Sequence, residues 1–164
     1  MKHDRLFRFS SFIVVFLCLG MIGCGHKQPK ADAVSTSPLI EEADLGSSDQ
    51  GRAMGLQTVH FGFDSNLLSK NMKSTLAQDA EILKSNPNVR IQIEGHCDSR
   101  GGIQYNIALG ERRANSVKSY LEDLGVSGQR LAIISYGKER PLVSGETEEA
   151  YAKNRRANFI VTAK

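Results

Sequence analysis

Between Val89 and Leu124 the apolar residues change their period once, and that change constrains the fold more than any other feature. Val89, Ile91 and Ile93 alternate with Arg90, Gln92 and Glu94. A period of two marks a strand with one apolar face, its other face being exposed or covered by polar contacts. After the glycine-rich stretch EGHCDSRGG the spacing becomes helical: Ile107, Gly110, Ala114, Val117, Leu121 and Leu124 form one stripe on a predicted helix over 106–124, closed by Gly125. A strand and a helix whose apolar sides need each other call for helices packed against a sheet, as a two-layer or open α/β unit.

The flanking segments repeat the alternation. Val59, Phe61 and Phe63 alternate in VHFGF as a first strand, with FDSN as its turn. Leu68, Met72, Thr75, Leu76, Ala80 and Leu83 recur at helical spacing, and that helix stops before Asn86-Pro87, where proline pushes the preceding residue out of helical geometry. Leu131, Ile133 and SYG mark a third strand, 146–153 a short helix, and RRANFIVTA at 155–163 a last strand with Phe159 and Val161 on one face. The order β-α-β-α-β-α-β predicts a two-layer α/β domain over residues 58–164. Arg155 and Arg156 read as solvated charge.

The beginning of the chain is of another kind. Lys2, Arg5 and Arg8 precede the apolar run FIVVFLCLGMIG, whose twelve residues span ~18 Å as a helix, against ~30 Å of bilayer hydrocarbon. Residues 1–23 therefore read as an export signal. MIGC, Met21 to Cys24, resembles the bacterial lipoprotein processing box, with Met21 where leucine is usual, so Cys24 is expected to be acylated and to anchor the protein in a bilayer. In such lipoproteins Gly25, not being aspartate, implies sorting to the outer membrane with the domain facing the periplasm. Residues 24–57 read as this lipidated N-terminus and a linker, rich in Ser, Gly and Ala, averaging ~30 Å end to end as a flexible coil.

Losing the signal removes three of 21 basic and one of 18 acidic residues, so the formal net charge falls from +3 to +1 and gives no argument for nucleic acid. Of three cysteines, Cys18 leaves with the signal and Cys24 is committed to lipid. Cys97 stays alone, so the domain has no internal disulfide to form.

Chemistry concentrates in EGHCDSRG at 94–101. Adjacent His96 and Cys97 point to opposite faces if the strand continues, which disfavours a thiol nucleophile and its base. His96, Cys97 and Asp98 lack the separated second cluster of a structural zinc site, so neither metal nor cofactor is expected. Arg113 lies at the edge of the apolar stripe, and a guanidinium there must be paired or await a ligand. Asp98 ends the preceding strand on the side where that helix begins. The two either form an internal salt bridge that pins the loop or make a clamp for a zwitterion, Asp98 taking an ammonium and Arg113 a carboxylate.

FGFD at 61–64, EGHCDSRG at 94–101, YNIALGERRANSVKSYL at 105–121, SYGKERP at 135–141 and NRRANF at 154–159 closely resemble the OmpA-like peptidoglycan-binding domain family, in the form carried by lipoproteins of the Tol-Pal system. The resemblance implies helices packed on one face of a mixed sheet. It implies non-enzymatic binding of the diaminopimelate in the peptide stem of peptidoglycan, and a further partner, TolB, in envelope integrity and cell division. The family's aspartate falls on Asp98 and would receive the ammonium; its N-x-x-L-[SG]-x-x-R-A motif falls on Asn106, Leu109, Gly110, Arg113 and Ala114, giving Arg113 the carboxylate. Phe63 and Asp64 would wall the pocket, and Asn106 would fix the loop or add a polar contact. Cys97, where the family commonly has a small residue such as alanine, and Ser99, often glutamate, depart from the pattern. The competing expectation is a lipoprotein of the same fold that binds protein partners and not the wall.

Overall fold

A computed structural model describes residues 45–164. The expected signal 1–23, Cys24 and the linker up to residue 44 lie outside the described residues. In chain order the elements are β1 (Val59–His60), α1 (Lys70–Ser85), β2 (Arg90–His96), α2 (Ile103–Asp123), β3 (Leu131–Gly137), α3 (Glu148–Asn154) and β4 (Arg156–Ala163), the alternation expected from periodicity.

The strands form one mixed sheet in the order β1-β4-β2-β3, with β2 and β3 parallel and the other two pairs antiparallel. Ile93 sits in register with Ile133 on one side and Phe159 on the other. That row, with Ile91 and Val161, meets Leu76 and Leu83 of α1 and Ala114, Val117 and Leu121 of α2 in one buried core. Burying each such Leu, Ile or Phe side chain contributes about 1.5–3 kcal/mol, which is why the period-two and helical stripes have to face one another.

Local chemistry sets the boundaries. Ser69 caps α1 by accepting from the Met72 amide, and Asn86 ends it ahead of Pro87. Arg130 gathers the carbonyls of this turn, donating to Leu83, Asn86 and Val89. α2 starts at Ile103, three residues before the expected Asn106, because Gly102 supplies the cap conformation.

Two glycines let β2 and α2 approach. A Cβ on Gly95 would stand 1.9 Å from the Gly110 carbonyl oxygen, and one on Gly110 would stand 2.3 Å from Ser135 Oγ. Only residues without side chains permit this spacing, and it brings the end of β2 beside the first turns of α2.

The expected start of the folded unit at Thr58 is corrected. Residues 45–57, read as linker, pack onto the domain: Leu45 N–H donates to Val161 O (3.1 Å), Ser47 bridges to Ile160, and Ala53 and Leu56 enter the core. Asn158 Oδ1 accepts from Ser47 Oγ, Ser48 Oγ and the Asp49 amide, while Arg156 Nε donates to Asp49 Oδ2 at 2.7 Å. The segment showed no period because its regular structure is limited to one 3-10 turn at Ser48–Gln50 and a single bridge at Ser47; it is held by polar partners more than a hundred residues away. Arg156, expected in solvent, is buried by the same contact.

The first strand is also shorter than its alternation suggested. Val59 and Phe61 are buried, but the chain leaves the sheet after His60, and Phe63 is 64% exposed, so it is no part of the core. On the sheet face away from the helices, Glu94 is covered, accepting from Asn158 Nδ2 at 2.8 Å, while Gln92 is half-buried and Arg90 exposed.

Candidate functional site

Three segments meet where β2 ends. The β1–α1 loop brings Phe63 and Asp64, the β2–α2 loop brings Cys97, Asp98, Arg100 and Gly101, and the first turns of α2 bring Tyr105, Asn106, Leu109 and Arg113; together they line a pocket of about 160 Å³. All six residues expected to bind ligand, Phe63, Asp64, Asp98, Asn106, Leu109 and Arg113, are in its wall.

Arg113 does not stand at the edge of the apolar stripe but is fully buried, with 0% exposure. Its Nε donates to Ser65 O (2.8 Å), Nη1 to His96 O (2.8 Å) and Cys97 Sγ (3.4 Å), and Nη2 to Gly62 O (3.0 Å). The Phe61 ring lies 5.1 Å from its guanidinium carbon. Burial pushes its pKa down, yet arginine keeps its proton, so a positive charge is fixed beneath the pocket with one Nη2 hydrogen uncommitted among the described residues. These bonds tie the ends of β1 and β2 to α2 and hold both loops.

Asp98 is not bonded to Arg113. Its carboxylate accepts from Arg100 Nε (3.2 Å), Arg100 Nη2 (2.7 Å) and the Arg100 amide (3.2 Å), with Arg155 Nη1 at 3.4 Å. Burial raises its pKa, but the hydrogen bonds and charge of Arg100, joined by Arg155, outweigh that and hold it below the ordinary carboxylate value. Arg155, expected as solvated charge, is instead buried, donating to Phe61 O and Glu148 Oε1 as well.

Asn106 fixes the loop: its Nδ2 donates to Arg100 O (2.7 Å) and Gly102 O (3.1 Å) from inside the first turn of α2. Asp64, whose backbone φ is +48°, accepts a hydrogen bond from the Tyr105 hydroxyl across the pocket mouth. Cys97 is buried, donating to Asn106 O (3.3 Å) and accepting from Arg113, and burial pushes its thiol pKa up. The His96 ring stands beside Tyr136, 5.6 Å between centroids, while its carbonyl serves Arg113. The thiol and imidazole therefore serve separate surroundings. Cys97 is part of the cradle of Arg113, a role its sequence neighbours do not disclose.

Sequence reasoning passed over Arg100, Tyr105 and Arg155. Arg155 carried a signal, since NRRANF is one of the segments that carry the resemblance, but its partner Asp98 lies 57 positions away. Arg100, two residues from Asp98 in a loop, looks like ordinary surface charge.

A model of the OmpA family matches residues 60–155. The peptidoglycan-associated lipoprotein of Legionella pneumophila is 51% identical over 119 residues, covering 72% of this chain and 67% of that protein. The protein of the same name from Pseudomonas aeruginosa is 34% identical over 166 residues, covering 94% and 98%. Among solved structures, the peptidoglycan-associated lipoprotein of Burkholderia pseudomallei superposes with a TM-score of 0.62 at 40% identity, over 63% of this chain and 88% of that one. The C-terminal domain of Helicobacter pylori MotB, at 23% identity and a TM-score of 0.63 over 67% of this chain and 87% of that one, shares the fold.

Proposed function

The chain belongs to the OmpA family, and within it to the peptidoglycan-associated lipoproteins; from that premise we propose that it ties the outer membrane to the cell wall by binding the diaminopimelate of the peptide stem without cleaving it. Asp98 accepts the ammonium of the diaminopimelate side chain, and the buried charge of Arg113, with its free Nη2 hydrogen, faces the carboxylate. Phe63, Asp64 and Leu109 wall the pocket, and Asn106 holds the loop that presents Asp98. No bond is made or broken.

The observation that carries this reading is that Asp98 and Arg113 line one open pocket without closing on each other. A salt bridge between them would have favoured a purely structural role and the reading in which only protein partners are bound.

The anchoring belongs to the same proposal. Processing before Cys24 and its acylation hold the chain in the outer membrane, the segment after it spans part of the periplasm, and TolB is the protein partner in the Tol-Pal system. Many weak attachments along one polymer hold two layers together by avidity while allowing growth. A soluble chain beginning after Cys24 is expected to co-sediment with diaminopimelate-containing sacculi, and Asp98→Ala to stay in the supernatant. Sedimentation of Asp98→Ala equal to wild type would remove the site assignment; a wild type that never sediments would leave the protein-partner reading. Mass analysis of the mature N-terminus tests the anchor.

A further inference from the structure

The pocket contains a second arginine whose situation differs from that of Arg113. Arg100 is 37% exposed at its side chain and closes on Asp98 with two guanidinium hydrogen bonds, 3.2 and 2.7 Å long. Its guanidinium carbon lies 4.3 Å from the Phe63 ring centroid and 4.2 Å from that of Tyr151. Two aromatic rings thus hold the planar cation. Glu148 Oε2 lies 3.7 Å from its Nη1.

We infer that Arg100 reads the carboxylate of the bound zwitterion: the ligand enters by exchanging with the Asp98–Arg100 ion pair, its ammonium replacing Arg100 on Asp98 and its carboxylate replacing Asp98 on Arg100. The inference rests on the diaminopimelate reading above and deepens it by naming the residue that sets specificity.

Three features support the exchange. Arg113, with four of its five N–H donors committed to protein atoms and no exposed surface, supplies position and background charge but can offer only one hydrogen to a ligand. Arg100 presents a planar fork to the pocket, the geometry that matches a carboxylate. Asp98 stays held during the exchange, because Arg155 Nη1 and the Arg100 backbone amide remain on it.

Charge balance then determines which ligands fit. A ligand carrying only an ammonium takes Asp98 and leaves Arg100 with the more distant Glu148. A ligand carrying only a carboxylate must enter beside Asp98. An α-amino acid centre with both charges replaces both partners at once, so no charge in the pocket is left without its counterpart. The exposed ring of Phe63 is explained by the same arrangement: it is the outer plate of the aromatic clamp.

The full-length mature lipoprotein in detergent is titrated with two stem tripeptides, L-alanyl-D-glutamyl-meso-diaminopimelate as the free acid and as the carboxamide at the side-chain terminus. Wild type is expected to prefer the free acid by about tenfold or more, the scale of one charge-assisted bidentate contact. Arg100→Gln should reduce that preference to about twofold or less, and Arg100→Lys, which keeps the charge without the fork, should fall between them. A wild-type preference retained in Arg100→Gln overturns the inference and leaves the pocket reading intact. Equal loss of both stems in Arg100→Gln also overturns it, since Arg100 would then be scaffold. Equal affinity of wild type for both stems overturns it as well, and wild type binding neither stem overturns the inference and the underlying reading together.

Discussion

Asp79 lies on the buried side of α1 with 0% exposure, and one of its carboxylate oxygens accepts the Gln57 amide at 3.0 Å while the other has no hydrogen-bond partner among the described residues. Burial raises its pKa from 3.8 to about 7, against a smaller lowering by the Gln57 hydrogen bond. The unfolded chain gives up this proton near 3.8, whereas the folded domain keeps it until about 7. The sign follows: the stability associated with the retained proton is fully present below 3.8, declines as pH rises, and is gone above about 7, where the domain carries an uncompensated buried carboxylate. The difference between 3.8 and about 7, at about 1.36 kcal/mol per tenfold change in proton affinity, amounts to about 4 kcal/mol. Asp79→Asn keeps an acceptor for Gln57 and carries no charge, so its stability relative to wild type should rise by about 4 kcal/mol between pH 3.5 and pH 8, most of it between pH 4 and 7. Glu94 and Asp98, whose pKa values are lowered, act in the opposite sense, but they are common to both proteins and cancel in the difference. Any fixed loss from the new amide is independent of pH and leaves the slope unchanged. Urea unfolding of both proteins at half-unit pH steps gives the difference curve. A flat difference curve from pH 4 to 8 would refute the reasoning, because it would mean that the folded domain does not retain the proton.

Three further substitutions, one of them a control, test how the pocket is held. Gly95→Ala places a methyl group on the Gly110 carbonyl and should lower stability by about 3 kcal/mol, read as a thermal midpoint reduced by roughly 10 °C, whereas Gly102→Ala, which meets nothing within 4 Å, should change it by less than about 1 kcal/mol; equal tolerance of both would contradict the close approach of β2 and α2. Arg113→Leu strips donors from the carbonyls of Gly62, Ser65 and His96, so it should cost about 3 kcal/mol in urea unfolding as well as abolish wall binding. An unchanged urea midpoint would show that the buried guanidinium is not what holds the loops.

The element order, the helical layer and six of the residues that line the candidate pocket were legible in the sequence because each rests on a local signal. Alternation at 89–93, the helical stripe of α2 and the breaker at Asn86-Pro87 act within a few residues of chain, and the glycine-rich loop lies next to the motif of α2 that completes the pocket. Residues whose state depends on distant partners gave no such signal. The segment 45–57 looked like linker until Asn158 and Arg156 were seen to hold it, and Arg155 looked solvated until Phe61, Asp98 and Glu148 surrounded it. The pairing of Asp98 with Arg100 rather than Arg113 was decided in the same way. The sequence places all three groups near one loop, but which cation reaches the carboxylate depends on where carbonyls and aromatic rings lie, and Arg113 is drawn inward by three carbonyls while Phe63 and Tyr151 hold Arg100 over Asp98. Periodicity and turn chemistry are properties of neighbouring residues, and the sequence alone determines them. The partner of a buried charge is set by competition among groups brought together from the whole chain, and only the tertiary structure decides it.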